Sequence, residues 1–285
     1  MLRVLVTGAH GFIGRPVTRI LWALGHDVRA WAAPAETLTR CTDPADVVIH
    51  LASGARHGPL AQEVSAAREG EVSAVTAVLD YCRRARARCL FASTAGVYRP
   101  AVTGPLKEDA PTSPESIYAT SKLAAEERCG EASTQSGIEC AVLRLFNVYG
   151  PGQRPPYVVP DIIGALVSGR TPILRSPEAV RDFVFVDDVA HAFVAAAIHP
   201  CGTFRVFNIG TGKGTRMADL VAMIAALLGI SAEWVTPPDH LSAGAPYSVA
   251  DTLRARVELG WEPATALEAG LAATCAAWPR TRGAV

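Results

Sequence analysis

Thr7-Gly8-Ala9-His10-Gly11-Phe12-Ile13-Gly14 joins a short apolar run, Arg3–Thr7, to a helical pattern over Phe12–Leu24. Three glycines at this spacing each have a separate use. Gly8 permits a tight turn off the strand. Gly11 lets the backbone come close to a pyrophosphate, whose charge meets backbone amides and the positive end of the helix dipole. Gly14 lets helix and strand pack closely. A glycine triplet alone is a weak signal, but here it stands in the strand–turn–helix context that dinucleotide binding requires.

The rhythm continues outward from that loop. Apolar runs at Asp27–Trp31, Val47–Leu51, Cys89–Ser93 and Cys140–Leu145 read as strands. Helical patterns at Leu60–Arg84 and Tyr118–Ser136 fall between them. Such alternation predicts an α/β fold, a Rossmann-type doubly wound parallel sheet covered on both faces. Only 13 residues separate Ala32 from Asp46. One crossover alone takes about a dozen residues, so the third strand of the usual arrangement is missing or is a stub near Leu38–Cys41. After residue 150 the prolines at 151, 155, 156 and 160 break the pattern. Residues 1–150 are therefore expected to form the dinucleotide-binding domain, with 181–209 returning to it. Residues 151–180 and 210–285 are expected to form a smaller substrate lobe.

Composition narrows the function classes. The 285 residues carry 27 basic and 27 acidic side chains, a net charge of zero. General nucleic-acid or anionic-membrane binding needs a basic excess, so neither is expected. No apolar run reaches the roughly 18 residues of a membrane span; the longest candidate, Leu220–Ile230, is a buried-helix pattern. The seven cysteines are odd in number and form no CxxC or Cys/His cluster. Reduced thiols, no metal site and a cytoplasmic location follow as expectations.

Several segments resemble the extended short-chain dehydrogenase/reductase family, the nucleotide-sugar epimerases and dehydratases. They are the glycine loop, Phe91-Ala92-Ser93-Thr94-Ala95-Gly96-Val97-Tyr98, Tyr118-Ala119-Thr120-Ser121-Lys122, Arg144–Gly152 and Arg181–Val189. Phe207–Gly210 and Leu259-Gly260-Trp261 carry the resemblance almost to the C-terminus. It implies NAD or NADP as cofactor, a nucleotide-sugar substrate and a homodimer. It also implies catalytic roles for Thr94, Tyr118 and Lys122. Gly8, Gly11, Phe12, Ile13, Gly14, Leu51, Ala52, Ser53, Ser93, Tyr118, Lys122 and Phe146 are the implied cofactor contacts. Thr94, Asn147 and Arg181 are the implied substrate contacts.

The residue types suit those roles. Tyr118 and Lys122 are four apart and share a helix face. A phenol with a pKa near 10 is a poor base at neutral pH. A neighbouring ammonium and the positive nicotinamide of an oxidised cofactor would favour the phenolate. Tyr118 could then take a proton from a sugar hydroxyl or return one to an alkoxide. The Thr94 hydroxyl can orient the reacting oxygen. Ser93 reads as a cofactor-side or structural hydroxyl. Arg181 can meet a pyrophosphate with two parallel bonds, or it pairs with Asp182 or Asp187. Pro-rich 151–160, with Gln153 and Arg154, reads as a substrate loop.

Departures from the family set the finer expectations. Ala95-Gly96 follows Thr94 where the 4,6-dehydratases carry Asp-Glu, which argues against dehydration. Trp31-Ala32-Ala33-Pro34 ends the second strand with neither the acid of NAD-preferring relatives nor the arginine of NADP-preferring ones, though His10 and Arg15 are near. Glu71 stands where an Asn is frequent, and Arg99 where a Gly is common. His50 reads as a satisfied core histidine. The shortened 33–45 segment leaves an open adenine half, which suits cofactor exchange. The sequence therefore favours a 4-keto-sugar reductase over a nucleotide-sugar 4-epimerase. A non-catalytic cofactor-binding regulator is the alternative of another class.

Overall fold

A computed structural model describes residues 1–53, 61–99, 104–231, 233–237 and 246–279, with the side chains of 61–67 outside that description. In chain order the first half runs β1 (Arg3–Thr7), α1 (Gly14–Ala23), β2 (Asp27–Trp31), β3 (Val47–His50), α2 (Ala61–Ala85), β4 (Arg88–Thr94), α3 (Ile117–Ser136), β5 (Cys140–Leu145) and β6 (Asn147–Tyr149). The second half runs α4 (Val158–Val167), β7 (Val180–Phe185), α5 (Val186–Ile198), β8 (Phe204–Ile209), β9 (Gly214–Arg216), α6 (Met217–Leu228), β10 (Tyr247–Ser248), α7 (Leu253–Leu259) and α8 (Leu267–Ala276).

Six parallel strands form the main sheet in the order β2-β1-β3-β4-β5-β8. Its central strands are buried on both faces, as their continuous apolar runs require. On one side Val17, Leu21, Val189 and Phe193 of α1 and α5 pack against Val6, Ile49 and Leu143. On the other, Val75, Val78, Cys82 and Cys129 of α2 and α3 pack against Leu5, Val48 and Phe91. A second sheet places β7 between β6 and β10, with β9 antiparallel to β7. Helices α4, α6 and α8 cover it around Ile163, Leu220 and Leu271.

The missing strand is absent here too. β2 is the edge of the main sheet. Ala35–Arg40, near the expected stub, is a 3-10 turn that buries Ala35 and Leu38 against α2. The chain makes a single crossover from β2 to β3, because 13 residues suffice for one such connection but not for a further strand and a second crossover. Beyond residue 150, β8 rejoins the main sheet, whereas β7 belongs to the second one. All seven cysteines are free thiols, five of them buried. No helix among the described residues is long and apolar enough to cross a membrane.

Candidate active site

The glycine loop has the conformation its sequence demands. Gly8 has φ +69°, and a Cβ there would lie 2.7 Å from the Ala52 amide nitrogen. A Cβ at Gly14 would fall 2.1 Å from the Gly8 carbonyl oxygen. No side chain caps the N-terminus of α1; the Arg15 amide donates to the Gly11 carbonyl at 3.2 Å and Pro16 has no amide hydrogen, so an anion here would be met by the loop amides ahead of them and by the positive end of the helix dipole. A cleft of about 1100 Å³ opens on this loop. Gly8, Gly11, Phe12, Ile13, Gly14, Leu51, Ser53, Tyr118 and Lys122 line it, together with His10, Arg15 and Arg19. This cradle fits a dinucleotide in size and donor type.

Helix α3 presents the Tyr–Lys pair. Ser116 caps it, its Oγ accepting from the Ala119 amide at 3.1 Å, and Gly137 ends it at φ +67°. Tyr118 and Lys122 thus face the cleft one turn apart. The Lys122 Nζ lies 5.8 Å from the centroid of the Tyr118 ring and 4.7 Å from that of Phe91. It donates to Glu71 Oε1 at 2.7 Å, and Ser53 Oγ donates to Glu71 Oε2 at 2.8 Å. Burial pushes the Tyr118 phenol well above its usual range, and the charges of Glu71 and Tyr157 add to it. Lys122 does not act alone on the phenol as the sequence suggests; a buried carboxylate answers it.

A second cavity of about 310 Å³ adjoins the first at Leu145. Thr94, Gly96, Tyr98, Arg99, Glu115, Asn147, Arg181 and Ser248 line it. Strand alternation explains which neighbours reach it. Thr94 points in and accepts from the Gly96 amide at 3.1 Å, whereas Ser93 points away and donates to Glu126. Ser93 is therefore placed as the structural hydroxyl of the two expectations. Arg181 likewise lines the cavity while Asp182 faces the other way. Arg181 donates to the carbonyls of Val180 and Pro246, at 3.1 and 2.7 Å. Asp182 accepts from the Thr211 amide and hydroxyl and the Gly212 and Ala250 amides. Asp187 pairs with Arg19 at 2.9 Å. Neither acid neutralises Arg181.

Other expected residues fall elsewhere. The Phe146 side chain packs inward with Val97, Tyr98, Leu106 and Ala250, not on the cleft. Ala52 lies against the glycine loop through its backbone, its amide donating to Thr7 Oγ1 at 3.3 Å. The side chain of Asn147 donates to the Asp182 carbonyl at 3.0 Å. Pro151–Tyr157 lines the larger cleft beside the glycine loop, not the smaller cavity. Residues 54–60 and 100–103, next to these cavities in sequence, lie outside the described residues. His50 is fully buried, its Nδ1 2.7 Å from Thr7 Oγ1.

Residues 4–210 match the NAD dependent epimerase/dehydratase family, and the chain belongs to it. A UDP-glucose 4-epimerase of Mycolicibacterium smegmatis is 34% identical over 96% of this chain and 97% of its own length. A dTDP-glucose 4,6-dehydratase of Streptomyces griseus is 29% identical over 98% of this chain and 94% of its own. The crystal structure of a Thermotoga maritima UDP-glucose 4-epimerase with UDP-glucose superposes with a TM-score of 0.87. It is 29% identical, over 96% of this chain and 97% of that one.

Proposed function

We propose that this protein is a 4-epimerase of a nucleotide-activated sugar, with NAD or NADP held in the larger cleft. The observation that carries this reading is that Leu145 lines both cavities, with Tyr118 lining one and Thr94, Asn147 and Arg181 lining the other. A sugar placed at that junction lies between the acid–base pair and a cation for its diphosphate. The similarity to 4-epimerases along nearly the whole chain supports the reaction. It outweighs the reductase reading drawn from the shortened 33–45 segment. Ala95-Gly96, in the 3-10 turn after Thr94, brings no acid to protonate a leaving hydroxyl; dehydration is disfavoured on that ground. The non-catalytic reading is weakened by the retention of Thr94, Tyr118 and Lys122 together.

In this reading residues 1–150 chiefly hold the cofactor, with Pro151–Tyr157 bordering the same cleft, and Arg181, Tyr247 and Ser248 complete the substrate side. The cofactor, when bound, supplies reversible oxidation at the sugar carbon. Thr94 holds the sugar oxygen by a hydrogen bond. Tyr118 takes that oxygen's proton and later returns it from its own hydroxyl. Lys122 keeps the phenol oriented and offers positive charge beneath it. The Arg181 guanidinium has donors left over from its two carbonyl contacts, and these hold the diphosphate. A homodimer belongs to the same proposal and is read by sedimentation. Incubation with UDP-glucose, UDP-galactose and dTDP-glucose, followed by NMR, tests the reaction. The expected result is interconversion of C4 epimers with no net consumption of added reduced cofactor. Accumulation of a 4-keto-6-deoxy sugar, or stoichiometric cofactor consumption, overturns it.

A further inference from the structure

Glu71 is a fully buried acid beside the candidate site, its side chain 0% exposed and that of Lys122 2%. A carboxylate this deep survives as an anion only with partners for its oxygens. Both are engaged, Oε1 by the Lys122 ammonium and Oε2 by the hydroxyl of Ser53. The contact spans three elements, from the end of β3 through α2 to α3. An ammonium has three donors, and fixing one of them on Glu71 restricts where the other two can point. The pair is also close to neutral as a unit, so the pull of Lys122 on a nearby phenolate is offset at short range.

We propose that Glu71 is a positioning residue that anchors the Lys122 ammonium beneath Tyr118 and answers its charge, so that Lys122 by itself no longer draws the proton off Tyr118. The phenolate then forms only when further positive charge enters the cleft. Among the described residues, the following charged and titratable groups bear on Tyr118 or line its cleft. Lys122 comes from its own helix, Glu71 from α2, and Tyr157 from the segment before α4. Arg154 lines the same cleft, as do His10, Arg15 and Arg19. His50 on β3 bears on Lys122 but stays neutral, because burial lowers its pKa to about 3. Asp187 also lines the cleft but pairs with Arg19, so Glu71 is the buried carboxylate that meets the Lys122 ammonium.

The inference rests on Tyr118 being the acid–base group. Its test reads charge coupling in the cofactor-free protein, so it can fail or hold apart from the reaction assigned above. Tyrosinate ultraviolet absorbance is followed with pH in the unsubstituted protein and in Glu71→Gln, Glu71→Asn and Glu71→Asp. Each is differenced against the same protein carrying Tyr118→Phe. In the unsubstituted protein and in Glu71→Asp, which keeps the charge, Tyr118 should stay protonated past the ordinary phenol value of about 10. In Glu71→Gln and Glu71→Asn its ionisation constant should rise about tenfold or more, moving the midpoint down by at least about one pH unit. Glu71→Asn also removes the charge and serves if Glu71→Gln fails to fold. An unchanged or higher midpoint in the neutral variants overturns the proposal, as does Glu71→Asp behaving like them.

Discussion

Replacing Glu126 by Met removes one half of a buried ion pair that ties the site to the core. Glu126 on α3 and Arg144 on β5 have side chains only 4% and 7% exposed. Arg144 Nη2 donates to Glu126 Oε2 at 2.6 Å, and its Nε reaches both carboxylate oxygens at 3.1 Å. Its Nη1 donates to the Glu108 carbonyl at 3.1 Å, and the guanidinium lies 4.6 Å over the Tyr98 ring. Ser93, beside Thr94, adds a hydrogen bond to the same carboxylate. Removing one partner strands a buried charge, which costs about 3–5 kcal/mol. Against a total stability of about 5–15 kcal/mol, that is a large fraction. Replacing both by Met leaves no charge behind. It strands only the Ser93 hydroxyl and the Glu108 carbonyl, about 1–3 kcal/mol for each group left unpaired, and each single variant already strands one of these two in addition to the buried charge. The double variant is therefore expected to lose no more than either single one, and far less than their sum. Urea unfolding of the protein, Glu126→Met, Arg144→Met and the double variant, followed by circular dichroism, measures this directly. Single-variant losses below about 1 kcal/mol, or strict additivity in the cycle, refute the reasoning.

Three further outcomes follow. His50 is buried with its pKa lowered to about 3, chiefly by desolvation and then by Lys122. The unfolded chain takes up that proton near pH 6.5 while the folded one does not, so stability falls from there toward pH 3 by up to about 1.4 kcal/mol per unit. Urea midpoints of His50→Asn should show a flatter acid slope, and an unaltered slope contradicts the assignment. Gly14→Ala drives a Cβ against the Gly8 carbonyl and the Ala9 backbone. It should cost about 1–3 kcal/mol and weaken NAD binding; calorimetry showing unchanged affinity and Tm speaks against the cradle. Arg181→Ala should weaken UDP binding by about 10- to 100-fold, the worth of a charge-assisted contact, with cofactor affinity intact. Equal UDP affinity removes Arg181 from the substrate site.

Much of this was legible from residues that act locally. The glycine loop, the apolar runs of the main sheet and the Ser116-capped helix with Tyr118 and Lys122 each declare themselves through spacing and turn chemistry. The short 33–45 segment also announced the lost strand by length alone. Side-chain direction at strand ends was not legible. Ser93 and Phe146 sit one residue from the site-lining Thr94 and Asn147, and only the pleat decides that they turn inward. Nor could the sequence reveal that Glu71, 51 residues before Lys122, meets its ammonium, because the contact depends on how α2 and α3 pack. Glu71 stood out only as a departure from an expected Asn. The second sheet, built from strands of two to six residues, gives too little periodicity to read.

The central claim is oxidation and re-reduction at one sugar carbon with Tyr118 as the acid–base group. The measurement that tests it most directly follows UDP-glucose deuterated at C4 by NMR, with the unsubstituted protein and with Tyr118→Phe. The account predicts that the deuterium remains at C4 in both epimers, and that Tyr118→Phe slows the interconversion by about 10²- to 10⁴-fold while still binding the cofactor. Wash-out of the label into added cofactor, or full activity in Tyr118→Phe, would contradict it.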